Sequence, residues 1–124
     1  MNTKDPKLIA LQFNEYITSR DIEGLASLMT ENHTFIDTGD GVNPGKDKMV
    51  SGWKWFFEKY PDYKNTFNRI ESHDNFVTML GYASCSNEDF FNGSFLWSAK
   101  IVDDMVDEWR VYLDTPENRE KLGF

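Results

Sequence analysis

Apolar residues recur at helical spacing in the first part of the chain and at strand spacing in the last. Asp5-Pro6 opens the first helix, because Pro6 lacks only an N–H that the first helical position does not use. Ile9, Phe13, Tyr16 and Ile17 then make one apolar face. In "SRDIEGLASLM" a second helix begins at Asp21, the N-cap, with Leu25, Leu28 and Met29 facing inward. The short break between them makes the two helices packing neighbours. The period then changes to two, and His33–Asp37 reads as a strand. "TGDGVNPG" (Thr38–Gly45) is a loop dense in turn formers. Helical spacing returns in "KDKMVSGWKWFFEKY", with Met49, Trp53, Phe56, Phe57 and Tyr60 on one side, until Pro61 stops it. Trp55 points off that side, toward a partner surface.

Beyond Pro61 only strands follow: Asp62–His73, Phe76–Asn87, Phe95–Asp103 and Val106–Asp114. Their short connections imply antiparallel neighbours. The tail "TPENREKLGF" stays polar up to Leu122 and Phe124, so it either folds back or frays. Helices early and strands late make an α+β domain with the helices gathered on one face of a bent sheet. At 124 residues there is room for one domain, spanning 1–124.

Composition changes this picture in two respects. Four Trp, five Tyr and ten Phe let a small fold reach a stable core, and the same rings can line a ligand cavity. A net charge of −8 argues against nucleic acid or an anionic membrane surface as partner, since both need clustered cations. Cys85 is the single cysteine, which excludes an internal disulfide and suits a strand filler. The N-terminus "MNTKDPKLIALQF" lacks the basic start and long apolar centre of a signal peptide, so a cytoplasmic location is expected. "GDGVNPGKDK" follows neither a Walker nor a dinucleotide pattern. His33 and His73 are isolated from other ligand types, and no metal site is expected.

The order of elements, with "RDIEGLASLMTENHTFIDTGDG", "GKDKMVSGWKWFFEKYPDYK" and "DEWRVYLD", resembles the nuclear transport factor 2-like superfamily and, within it, the SnoaL-like polyketide cyclase branch. The resemblance covers nearly the whole chain. It implies a cone in which three helices close over a curved antiparallel sheet around an apolar pocket. It also implies a homodimer through the outer sheet face, and a small apolar or carbonyl-bearing ligand. The superfamily includes isomerases, cyclases, dehydratases, epoxide hydrolases and plain binding proteins, so the fold alone settles no activity.

Four residues are candidates for proton chemistry. Asp37 matches the position of the base in the superfamily's ketosteroid isomerases. Alternation puts it on one side with Phe35 and His33. A carboxylate set among aromatics loses water and becomes a better proton acceptor; equally, "DTGDG" suits an Asx-turn carboxylate. Asp114, on a strand face with Tyr112, Arg110 and Glu108, matches the acid/base aspartate of SnoaL-like cyclases, or else caps the last strand. Arg110 has the type needed to pair with either aspartate, as in the Asp-Arg-Asp set of epoxide hydrolases on this fold, or to make a cross-strand ion pair on the outer face. His33 is a proton shuttle or a packed histidine. Tyr16, Phe35, Trp53, Phe57, Tyr82, Phe95, Trp97 and Tyr112 are the expected pocket lining. The resemblance puts the isomerases' oxyanion tyrosine near Phe13 and its acid partner near Ser98, neither of which suits that role, so ketosteroid isomerisation is not expected. Two functions stay open: a cofactor-free acid–base enzyme of cyclase, isomerase or hydratase type, or a non-catalytic ligand-binding or dimerisation module.

Overall fold

The computed structural model describes residues 1–124. Helix α1 (Pro6–Ser19) is capped by Asp5, whose carboxylate accepts from the Lys7 N–H at 3.0 Å. It ends where Arg20 takes a left-handed conformation. Helix α2 (Ile22–Ser27) follows, capped by Asp21, which accepts from the Gly24 N–H at 2.9 Å. A Cβ on Gly24 would come within 2.5 Å of the Tyr16 ring, so glycine lets the two helices approach this closely.

The second helix is shorter than its periodicity suggests. Leu28 caps it, and Met29 opens strand β1 (Met29–Ile36), four residues before the expected start. Sheet pairing takes over here: the Val106 N–H donates to the Leu28 carbonyl at 2.6 Å, and Met29 pairs with Val106. One extra turn of an isolated short helix cannot compete with that. Strand β2 (Val42–Pro44) lies inside the stretch read as loop and pairs antiparallel with β1. It is a three-residue edge strand, where a proline needs no ladder donor.

After α3 (Lys46–Lys59) come β3 (Lys64–His73), β4 (Phe76–Ser84), a 3-10 turn (Asp89–Phe91), β5 (Gly93–Val102) and β6 (Met105–Leu113). The sheet order is β2-β1-β6-β5-β4-β3. The early strand β1 therefore joins the late strand β6, and this pair is parallel while the others are antiparallel. The sheet is curved and does not close. Register breaks between Phe67 and Arg69 and between Lys100 and Ile101 help it bend. Opposite the first break, a Cβ on Gly81 would lie 1.9 Å from the Thr66 carbonyl oxygen.

Register assigns each residue to a face. Val77, Ala99, Trp109 and Phe35 form one cross-sheet row, and Met79, Trp97 and Val111 form the next. Both rows face α1 and α3, and with Ile9, Phe13, Ile17, Trp53 and Phe57 they belong to the main core. On the opposite face run Leu80, Leu96 and Tyr112, then Thr78, Ser98, Arg110 and Ile36.

A fourth helix, α4 (Pro116–Leu122), folds back over this outer face. The tail thus folds back rather than frays. Thr115 caps α4 by accepting from the Asn118 N–H at 3.1 Å, and Gly123, at φ 83°, stops it. Leu122 is buried against Leu96 and Tyr112, worth about 2 kcal/mol. No helix is long and apolar enough to cross a membrane.

Candidate functional site

Between α3 and the concave sheet face lies a cavity of about 630 Å³. Helix α3 supplies two adjacent rows at helical spacing, Lys48-Gly52-Trp55 and Met49-Trp53-Phe56. The sheet supplies Phe35, Phe95, Trp97, Trp109 and Val111. Tyr63, Phe90 and Phe91 complete the wall. All four tryptophans of the chain line this one space. Their rings meet edge-on or tilted: Phe35 lies 6.0 Å from Trp53, and Phe91 lies 5.4 Å from Phe56 and 5.5 Å from Tyr63. Trp53 is buried, and its Nε1–H finds no acceptor in the protein.

Polar groups enter from the turn after β1 (Asp37 and Thr38), from β2 (Asn43) and from the first turn of α3 (Lys48). Asp37 is the only carboxylate in the wall and Lys48 the only cation. Tyr63 adds a phenol whose pKa burial pushes well up, so it stays protonated through the ordinary pH range.

Asp37 is both a turn carboxylate and a wall residue. Its Oδ1 accepts from the Gly39 and Gly41 N–H groups, each at 2.9 Å. Its own N–H donates to the Gly41 carbonyl at 3.1 Å. A Cβ on Gly41 would stand 2.5 Å from Oδ2, so the loop needs glycine there to wrap the carboxylate. Oδ2 has no protein donor. The turn reading of "DTGDG" holds, and this turn places the Asp37 side chain at the cavity wall.

The other candidates for proton chemistry are elsewhere. Trp109 and Val111 point into the cavity, so alternation sends Arg110, Tyr112 and Asp114 to the outer face. Asp114 is held there by Arg119, with Nε to Oδ1 at 2.6 Å and Nη2 to Oδ2 at 2.8 Å, and it also accepts from Ser94 Oγ. The Arg119 guanidinium holds its pKa at about 2. Arg110 pairs with neither Asp37 nor Asp114. Its guanidinium binds Asp40 and stacks 4.7 Å from the Tyr112 ring centre. No Asp-Arg-Asp set forms.

His33 faces inward but sits behind the wall, fully buried, with its ring 5.6 Å from Phe13. Its Nδ1 lies 2.7 Å from the Val106 carbonyl, which makes Nδ1–H the donor and leaves Nε2 without a partner. Burial lowers its pKa, so it is a neutral packed ring. Phe13 stacks on Trp109 at 4.7 Å, and Ser98 meets the Tyr112 hydroxyl at 2.9 Å on the outer face. Neither the Phe13 position nor the Ser98 position offers a polar group to the cavity.

The sequence pattern of the SnoaL-like domain family matches residues 10–114. The chain belongs to this family. Among solved structures, a Shewanella putrefaciens protein that carries the name of a SnoaL-like polyketide cyclase superposes with a TM-score of 0.78 at 16% identity, covering 98% of this chain and 87% of that one. An LEH-like epoxide hydrolase from M. tuberculosis gives 0.76 at 11% identity, covering 94% and 88%. A nuclear transport factor 2-like protein of unknown function from Cytophaga hutchinsonii gives 0.74 at 15%, covering all of both chains. At such identities the likeness is one of fold. No curated protein matches by sequence.

Of the aromatics expected to line the SnoaL-like pocket, Phe35, Trp53, Phe95 and Trp97 do stand in the cavity wall. Tyr16 is spent on Gly24 between α1 and α2, and Phe57 packs in the core 5.6 Å from Trp53. Tyr82 and Tyr112 belong to the outer face, because their strand neighbours Gly81 and Val111 point inward. Thr38, Asn43, Lys48, Phe56, Tyr63, Trp109 and the 3-10 turn phenylalanines were not expected in the wall. Trp55 was expected at a partner surface. It stands at the cavity rim, 57% exposed, with Lys59 Nζ 4.9 Å over its ring. The row Lys48-Gly52-Trp55 was available as a signal beside Met49-Trp53-Phe56.

Proposed function

We propose that the cavity binds a small, largely apolar molecule whose carbonyl-bearing end meets Asp37, and that Asp37 acts on it as a base. The observation that supports this reading is the Asp37 seat: one carboxylate in an aromatic wall, oriented by two backbone N–H groups through Oδ1, with Oδ2 left for a ligand. Lys48 is the cation available to oppose charge developing on the ligand oxygen. With Asp114, His33 and Arg110 away from the cavity, the chemistry is that of a single base. Removal of a proton next to a carbonyl and its return elsewhere on the ligand, as in isomerisation or cyclisation, needs no second carboxylate.

The test uses 2-tetralone, a flat bicyclic ketone with acidic α-protons, in D2O with NMR detection. Asp37 Oδ2 takes an α-proton, the electron pair moves to the carbonyl oxygen as the enolate, and solvent returns a deuteron. The protein should accelerate exchange, and Asp37→Asn should abolish the acceleration while leaving tetralone binding within about threefold. Binding without accelerated exchange would move the reading to a non-catalytic ligand-binding pocket. The homodimer is proposed through the part of the outer face that α4 leaves open, including the exposed Tyr82. Sedimentation should give a dimer mass at micromolar concentration, and a monomer mass would refute it.

A further inference from the structure

Gly52 lies inside α3, where glycine is disfavoured relative to alanine because it gives up the most backbone freedom. Nothing local requires it. Its φ is not left-handed, unlike those of Gly45, Gly93 and Gly123. A Cβ added to it would meet only Met49 Cε, at an ordinary 3.7 Å, whereas a Cβ on Gly24, Gly41 or Gly81 would collide. Gly52 does line the cavity, one helical turn after Lys48 and flanked by Trp53 and Trp55. What its missing side chain preserves is therefore cavity space.

We propose that Gly52 is a specificity determinant of the cavity: it leaves a slot in the α3 wall that admits the face of a flat, multi-ring ligand. This rests on the cavity being a ligand site. A side chain of leucine size at position 52 projects into that slot from a helix that tolerates its Cβ. Lys48 is about 6 Å of helix rise away. On the proposed reading, a ligand whose oxygen lies level with Lys48 places a second ring, and not its first, over Gly52.

The experiment titrates the wild-type protein and its Gly52→Ala and Gly52→Leu variants with 2-tetralone and with the single-ring cyclohexanone, followed by tryptophan emission and calorimetry. Gly52→Leu should weaken 2-tetralone at least tenfold while leaving cyclohexanone within about threefold. Gly52→Ala should keep both ligands and raise Tm by about 3–6 °C. That split between ligands is not what a merely structural role would produce. If Gly52→Leu binds both ketones as the wild type does, or loses both equally while still folded, the slot is refuted and the pocket reading stands. If the wild type binds neither ketone, the pocket reading fails and the slot with it.

Discussion

Gly41→Ala is the perturbation that probes the Asp37 seat most sharply, because it leaves the carboxylate itself in place. The added Cβ would stand 2.5 Å from Oδ2, 3.0 Å from Oδ1 and 3.1 Å from Cγ. Reaching an ordinary contact moves the carboxylate by about 1 Å, given the ~3.4 Å at which such contacts begin. The bonds to Gly39 N–H and Gly41 N–H, both 2.9 Å, do not survive such a move. At ~1 kcal/mol for each bond, the loss is about 2 kcal/mol, or about 8 °C in Tm for a domain of this size. Gly39→Ala is the control: its Cβ meets only Oδ1 at 3.5 Å, so its cost stays within about 0.5 kcal/mol. Urea unfolding monitored by circular dichroism measures all of these. In an Asp37→Ala background the Gly41→Ala penalty should vanish, giving a coupling energy of about 2 kcal/mol. Equal costs for the two glycine variants, or additivity with Asp37→Ala, would refute this account of the seat.

The remaining predictions concern pH. The buried His33 has a lowered pKa, so below about 6.5 the unfolded chain takes up its proton first. Stability should fall as the pH drops below that value, until the folded-state pKa is passed, and this step should be missing in His33→Gln. Asp114 contributes fully above about 4, and its share disappears as the pH falls toward its folded value of about 2. Half-exposure of Arg119 limits that share to about 1 kcal/mol. Asp114→Asn should remove this second step while leaving 2-tetralone binding unchanged, since Asp114 lies across the sheet from the cavity.

How far the sequence reveals this site depends on whether a property is local. Strand alternation from His33 through Phe35 to Asp37 is local, and it assigns Asp37 to the concave side. The same rule groups Arg110, Tyr112 and Asp114 together, but not which face they occupy. That is set by the pairing of β5 with β6, where Trp97 opposes Val111. Pairing of β1 with β6 brings together segments far apart in the chain, and it explains why Met29 leaves the helix. The β2 strand is three residues long and contains a proline, too short for alternation to show. Helix α4 is not read in the tail, and its docking depends on Leu96 and Tyr112 arriving from two other strands. The cavity itself depends on how α3 lies across the sheet, so Lys48 and Trp55 become wall residues only in three dimensions.

The most direct measurement is an amide chemical-shift map of the 15N-labelled protein titrated with 2-tetralone. The account predicts the largest shifts at Thr38, Gly39, Gly41 and Gly52, with Ser94, Asp114 and Arg119 unmoved. Shifts concentrated on the outer sheet face, or none at millimolar ketone, would contradict it.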